Sequence, residues 1–322
     1  MNKKQIWFLV CVIVLIVGTV IFFVTRGSGE SYSSDYRENN REDVIVYGNK
    51  EYRYNDHLSN YLFMGIDSRE PVTEYETSDN VARADAIFLL SYDRAKETVK
   101  CLSIPRDTIV NVRVMAADGT DMGTTKEHIN MQYVFGDGKE KSCQLMKEAV
   151  SNMLYGVPIQ GYCSLSMDGI STAVDVLGGV KVTVPDASLE GVNPEFVKGA
   201  TVTLTKENAE QFVRYRDIEQ SQSAIVRTER QKVFMKALAE RVREKSTEEN
   251  GFVVEMYDSL KPYMITNIGN DILAKLTTAH YDADAGMRDI PGTGVAGTEY
   301  DEYHIDETQL YELVLQMFYK EV

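Results

Sequence analysis

RADAIFLLSYDRAKETVKCLSIPRDT, residues 83–108, decides the fold. It holds two short apolar runs, AIFLLSY at 86–92 and TVKCLSI at 98–104, each of strand length and rich in branched and aromatic residues. The polar Asp93-Arg94-Ala95-Lys96 between them suits a tight connection, so the pair predicts a hairpin. Upstream, NYLFMGI at 60–66 reads as a third buried strand that stops at Asp67-Ser68-Arg69. Downstream, Leu145, Met146, Ala149, Val150, Met153 and Leu154 recur at helical spacing within 142–155, and Gly156 suits the stop. Residues 160–167 alternate as a strand, Asp168 is placed to cap a helix through 176, and Gly178-Gly179 break it before a strand at 180–184. Helices are expected at 205–215, 226–242, 270–280 and 306–318. Strands and helices interleave and at least one hairpin is present, which indicates an α/β layered domain around a mixed sheet.

The strand ends carry the charges. Asp67 ends the first strand, Arg83 and Asp85 precede the second, and Arg106 and Asp107 follow the third. A hairpin sets the start of one strand beside the end of the other, so Asp85 and Arg106 should meet although far apart in sequence. If the first strand is parallel to the third, Asp67 joins them. Carboxylates with arginines at one sheet edge suit a magnesium ion beside a phosphorylated ligand, because magnesium is held by one or two carboxylates, waters and phosphate oxygens. The guanidinium fork matches phosphate. A purely structural salt-bridge cluster uses the same residues.

A second group is Arg214-Tyr215-Arg216 followed by Arg227, Arg230 and Gln231. On a helical wheel Val226, Val233, Phe234, Ala237 and Leu238 mark a buried stripe, and Arg230 falls inside it. A charge there must be paired, by a protein carboxylate or by a bound phosphate. Arg230 is thus expected to be structural, with Arg227 facing a ligand near a helix start that already favours anions.

The net charge of −15 speaks against nucleic-acid binding. Residues 6–24 form a nearly unbroken apolar run, about long enough to cross a bilayer, with Lys3 and Lys4 before it and Arg26 after. No small-residue cleavage site follows, so a single membrane span at 1–26 with a cytoplasmic N-terminus is expected. Residues 27–55 are polar and aperiodic and read as a flexible stalk; 56–322 read as one external domain. Cys101, Cys143 and Cys163 form no CxxC motif; a Cys143–Cys163 disulfide is one reading and small buried hydrophobes the other. The four histidines are scattered, and no GxSxG or Walker sequence occurs.

FMGIDSR, RADAIFLLSYD, LSIPRDT, HINMQYVFGDG, VDVLGGVKVTVP, FVRYRD, RTERQKVFMKAL and IPGTG, in that order from about 60 to 294, make a set that resembles the LytR-CpsA-Psr family of cell-wall enzymes. The resemblance implies an α/β/α sandwich with a polyprenyl phosphate lipid in an apolar cleft. It implies transfer of a phosphoglycan, such as a teichoic acid or capsule precursor, from a polyprenyl-pyrophosphate carrier to peptidoglycan. By matching positions, Asp67 and Asp85 would hold magnesium. Arg83 and Arg106 would hold the pyrophosphate, with Arg214, Arg216 and Arg227 on its other side. Arg69, Arg230 and Gln231 join that binding group, and Asp107 joins Arg106 and Arg83 as a catalytic candidate. The chain departs from the pattern at Val226, where related sequences have Gly, and across 218–224. A lipid-pyrophosphate hydrolase and a non-catalytic lipid-binding envelope regulator remain as alternatives.

Overall fold

The computed structural model describes residues 44–68, 82–116, 118–217, 220, 223–249, 251–281, 287–297 and 300–322. The expected membrane span, most of the stalk and Arg69 lie outside the described residues; among those described, no helix is long and apolar enough to cross a membrane.

In chain order, a small hairpin of β1 (Ile45–Tyr47) and β2 (Lys50–Tyr54) leads into β3 (Leu58–Ile66), β4 (Ala84–Asp93) and β5 (Thr98–Ile104). A second hairpin, β6 (Ile109–Met115) and β7 (Asp121–His128), precedes a turn of 3-10 helix at Ile129–Tyr133 and α1 (Glu140–Met153). Then come β8 (Gly161–Ser166), α2 (Met167–Val176), β9 (Val180–Thr183), β10 (Thr201–Leu204), α3 (Ala209–Arg214) and α4 (Ser223–Glu248). The remainder is α5 (Phe252–Leu260), β11 (Met264–Thr266), α6 (Asn270–Thr278), β12 (His280–Tyr281), β13 (Met287–Asp289), β14 (Gly292–Val295), β15 (Glu302–Ile305), α7 (Glu307–Phe318) and β16 (Tyr319–Glu321).

The central sheet has the order β11-β8-β3-β4-β5-β12, and β13 also pairs with β5. It is mixed: β3 is antiparallel to β4 and parallel to β8, β4 is antiparallel to β5, and β12 and β13 run parallel to β5. The expected hairpin forms, and its turn is held by Asp93, whose Oδ1 accepts from the N–H groups of Ala95 at 3.0 Å and Lys96 at 3.2 Å. Side chains alternate between two cores. Phe63, Phe88, Leu90 and Cys101 pack with α2, α4 and α5 on one face. Leu62, Met64, Leu89 and Leu102 pack with α1 and α7 on the other. Strands buried on both faces read as continuous apolar runs, which is why periodicity alone located them.

Four boundaries differ from expectation. The stalk ends earlier than 55: β1 and β2 pair with each other, and β2 pairs with β16 at the far end of the chain. Asp168 sits in the first turn of α2, whose N-cap is Ser166. The helix expected at 205–215 is shorter, Ala209–Arg214, because 205–208 form a turn in which Asn208 Oδ1 accepts from the Thr205 N–H at 2.8 Å. The helix expected at 226–242 is longer, and Val226 is exposed rather than part of the buried stripe.

Cys101, Cys143 and Cys163 are buried and free, so the disulfide reading is not met. Burial pushes the Cys143 thiol up to about 12 and the Cys163 thiol well above its ordinary range. Both stay protonated in the folded chain at pH 9, where an unfolded thiol is largely ionised. Iodoacetamide at pH 9 should therefore label Cys143 and Cys163 only after denaturant is added. Fast labelling of the native chain would show that this core opens.

Candidate functional site

Because β3 and β5 run the same way and β4 runs against them, three termini share one sheet edge. Asp67 follows β3, Arg106 and Asp107 follow β5, and Arg83 and Asp85 lie where β4 begins. The Asp67 N–H donates to the Arg83 carbonyl at 3.0 Å, which ties the first and second termini together.

A bulge does the aiming. Gly65 is opposite Ala86, but the next residue, Ile66, is opposite Ala84, so Asp85 is an extra residue on β4. Strict alternation would turn Asp85 away from Ala86 and toward the α1 and α7 face. Instead Ala84 packs on that face and Asp85 meets α4, which lies on the opposite side. Bulges beside active sites commonly re-aim one side chain in this way.

Asp85 is buried at 5% exposure and bridges two arginines. Its Oδ1 pairs with Arg106 Nη1, and its Oδ2 accepts from Arg227 Nη1 at 3.1 Å. Arg106 Nε also donates to Asp107 Oδ1 at 2.9 Å. Burial alone would depress the Arg106 guanidinium, but Asp85 and Asp107 together hold its pKa above the ordinary value. Arg227 behaves oppositely. It is 4% exposed, and burial lowers its pKa; Asp85 offsets part of this, while the positive Arg106 and Arg216 push it further down. Among the described residues, its buried Nε and Nη2 have no hydrogen-bond partner. Arg106 and Arg227 thus flank Asp85, Arg216 adds positive charge near Arg227, and among the described residues Arg227 keeps two unused donors. Such a constellation is short of negative charge and of acceptors, which an anionic ligand supplies.

Next to this centre, Arg214 at the end of α3 pairs with Asp67 Oδ1 at 2.8 Å and with Glu210 Oε1 at 3.1 Å. Glu210 is a partner missed from sequence, although its (i, i+4) spacing to Arg214 was a usable signal. Arg83 is exposed and makes no ion pair among the described residues. Arg230 is buried, as its place in the stripe implied: it is 1% exposed and bonded to the Tyr215 carbonyl and Ser188 Oγ, with Asp186 at 3.7 Å, while its buried Nε has no hydrogen-bond partner among the described residues. Gln231 donates to the Val213 carbonyl at 3.3 Å, which locks α4 to α3.

An apolar cleft adjoins the cluster. Phe63, Phe88, Ile170, Val213, Phe234 and Leu238 line it, and Gln231 lies on its wall one residue from Arg230 and a turn from Arg227. Gly65 and Ala86, paired across β3 and β4, form part of its lining. A Cβ on Gly65 would come within 3.2 Å of the Ala86 Cβ, and small residues on both strands keep that stretch of the cleft open.

Magnesium was expected on Asp67 and Asp85. Among the described residues no group of three or more His, Cys, Asp or Glu gathers. Asp67 and Asp85 stand at neighbouring strand ends, each paired with arginine: Asp67 Oδ1 with Arg214, and the two oxygens of Asp85 with Arg106 and Arg227.

Fold and site together define a mixed-sheet α/β protein that joins an anion-seeking arginine–aspartate cluster to an apolar cleft. The LytR_cpsA_psr family profile matches residues 20–318, and the chain belongs to that family. It is 29% identical over 251 residues to the polyisoprenyl-teichoic acid–peptidoglycan teichoic acid transferase TagV of Bacillus subtilis (strain 168), across 74% of this chain and 58% of TagV. It is 32% identical over 177 residues to the TagU enzyme of the same description from Halalkalibacterium halodurans, across 55% of this chain and 51% of TagU. The chain thus spans little more than half the length of these two relatives. The crystal structure of B. subtilis TagV matches with a TM-score of 0.57 at 25% identity, over 81% of this chain and 96% of that one. A structure of TagT bound to LI-WTA matches at 0.59 and 21% identity, over 81% and 90%, and shares the fold.

Replacing Asp85 with Ala would leave Arg106 and Arg227 as buried cations without their shared partner. Stability should fall by about 3 kcal/mol in urea unfolding, the usual range for breaking a buried pair from one side. A loss below about 0.5 kcal/mol would mean that the cluster is open to water.

Proposed function

We propose that this protein transfers a phosphoglycan from a polyprenyl-pyrophosphate carrier to peptidoglycan. The observation that carries the reading is the meeting of the apolar cleft with the arginine cluster, in which Arg227 has buried donors unused among the described residues. An amphiphile with a long apolar tail and a pyrophosphate head satisfies both at once. The names of the relatives TagV and TagU support the choice of teichoic acid-like donors and peptidoglycan acceptors.

In this mechanism the tail lies along Phe63, Phe88 and Phe234, and Arg106, Arg214, Arg216 and Arg227 surround the pyrophosphate, with Arg83 at its exposed side. Magnesium, when bound by Asp67 and Asp85, would supply further neutralisation of phosphate charge. A hydroxyl oxygen of the wall sugar attacks the phosphorus next to the glycan. The bond from that phosphorus to the bridging oxygen breaks, polyprenyl phosphate departs with the electron pair, and a phosphodiester remains. Asp107, oriented by Arg106, is placed to receive the acceptor's proton. Fixed cations aimed at phosphate oxygens provide most of the rate in such transfers. The proposal includes the anchor: residues 6–24 hold the chain in the membrane with the domain outside, where carrier and wall both lie.

The test uses the full chain in detergent with a polyprenyl-pyrophosphate-linked saccharide, peptidoglycan fragments and magnesium, read by mass. A phosphodiester adduct is expected. Arg106→Ala should slow its formation by about 10²-fold or more if Arg106 stabilises developing charge. Free phosphoglycan in place of the adduct would indicate a hydrolase, and lipid binding without turnover a regulator. Ala86→Leu, which puts a branched side chain into the cleft, should weaken binding of polyprenyl phosphate by roughly tenfold while leaving the chain folded. Unchanged lipid affinity would remove the cleft from the mechanism.

A further inference from the structure

Arg106 and Asp107 occupy the two central positions of a tight turn that follows β5. Thr108 closes it. Its N–H donates to the Pro105 carbonyl at 3.1 Å, and its hydroxyl donates to the same oxygen. The other carbonyls of the turn are held by distant segments. The Asn130 N–H donates to the Arg106 carbonyl at 3.2 Å, the Tyr303 N–H to the Asp107 carbonyl at 2.8 Å, and the Ile129 N–H to the Thr108 carbonyl at 2.8 Å. The stretch that opens with His128-Ile129-Asn130, which no catalytic role had absorbed, thus serves to tie down this turn. These three ties come from backbone donors, which most substitutions leave in place. The Thr108 hydroxyl is a side-chain donor, and Thr108 is fully buried.

The turn decides what Arg106 can reach. In an extended strand adjacent side chains point to opposite faces. Yet Arg106 Nε meets its neighbour Asp107 Oδ1 at 2.9 Å while Arg106 Nη1 pairs with Asp85 on β4. Extended backbone would hold Arg106 and Asp107 apart, and the turn lets them meet. A looser turn would cost Arg106 one carboxylate or the other. Thr108 does not line the apolar cleft, so the path from its hydroxyl to a ligand there runs through Arg106.

From this arrangement we infer that Thr108 is a positioning residue, whose hydroxyl sets the Arg106 guanidinium between Asp85 and Asp107. Its part in turnover rests on the transfer reading, whereas its part in the geometry does not. Valine has nearly the shape of threonine without the hydroxyl. The Pro105 carbonyl would still accept from the backbone N–H of residue 108, so Thr108→Val leaves that acceptor paired. Serine keeps the hydroxyl and gives up only a methyl group.

Two measurements on the full chain in detergent test this. In NMR spectra of the chain with isotope-labelled arginine, the Arg106 Nε–H signal is assigned by its loss in Arg106→Ala. It should shift in Thr108→Val and in Thr108→Ala, and keep its place in Thr108→Ser. Affinity for polyprenyl pyrophosphate should fall by roughly tenfold in Thr108→Val and stay within about twofold of wild type in Thr108→Ser. In an Arg106→Ala background Thr108→Val should cause no further loss, because a residue that acts through Arg106 has no effect once Arg106 is gone. An equal loss in both backgrounds would mark a merely structural residue and overturn the assignment, as would an Arg106 signal unmoved by Thr108→Val. A wild type that binds the lipid but forms no adduct with peptidoglycan fragments would sink the transfer reading and leave the positioning role standing. A wild type that binds no lipid would also count against the transfer reading, and the NMR signal would then decide on Thr108 alone.

Discussion

Everything at the site depends on one buried carboxylate. Asp85 accepts from Arg106 on one oxygen and from Arg227 on the other, and so joins the end of a sheet strand to the helix packed over it. Two guanidinium groups brought this close repel each other, and burial removes the water that would screen them. Asp85 offsets that repulsion only in part. The pKa of Arg227 stays depressed by burial and by its positive neighbours, and among the described residues two of its nitrogens have no acceptor. The fold tolerates this because Arg230, Gln231, Phe234 and Leu238 clamp α4 in place through separate contacts. Such a cluster is expected where an anion completes the electrostatics, and a pyrophosphate head does so without rebuilding the sheet.

The geometry that makes Asp85 available is a property of strand pairing. One extra residue in β4 moves Asp85 to the face that carries α4 and sends Ala84 to the other core. The same stretch pairs Gly65 with Ala86 and leaves the adjoining cleft open and apolar. A polar head site and a tail site therefore share a few residues of two neighbouring strands.

Much of this was legible in the sequence. Continuous apolar runs marked β3, β4 and β5, and the hairpin rule alone brought Asp85 to Arg106. Helical spacing placed Arg230 in a buried stripe, and there it lies. The bulge was not legible, since it exists only in the register between two strands. The pairing of β2 with β16 was hidden for a similar reason: it joins nearly opposite ends of the chain, and residues 45–54 alone have the composition of a linker. Nor did any local pattern reveal that Ser188 and the Tyr215 carbonyl would hold Arg230, because loop-to-helix contacts leave no periodic trace.

The most direct measurement compares the affinity of the full chain for a polyprenyl pyrophosphate and for the polyprenyl alcohol of the same length. The alcohol probes the cleft alone, whereas the pyrophosphate adds the arginine cluster. If Asp85 and its arginines form an anion site continuous with the cleft, the pyrophosphate binds tighter by a factor on the order of a hundred, and Arg227→Ala removes most of the difference. Equal affinities for the two lipids would contradict the account and reduce the cluster to a structural network.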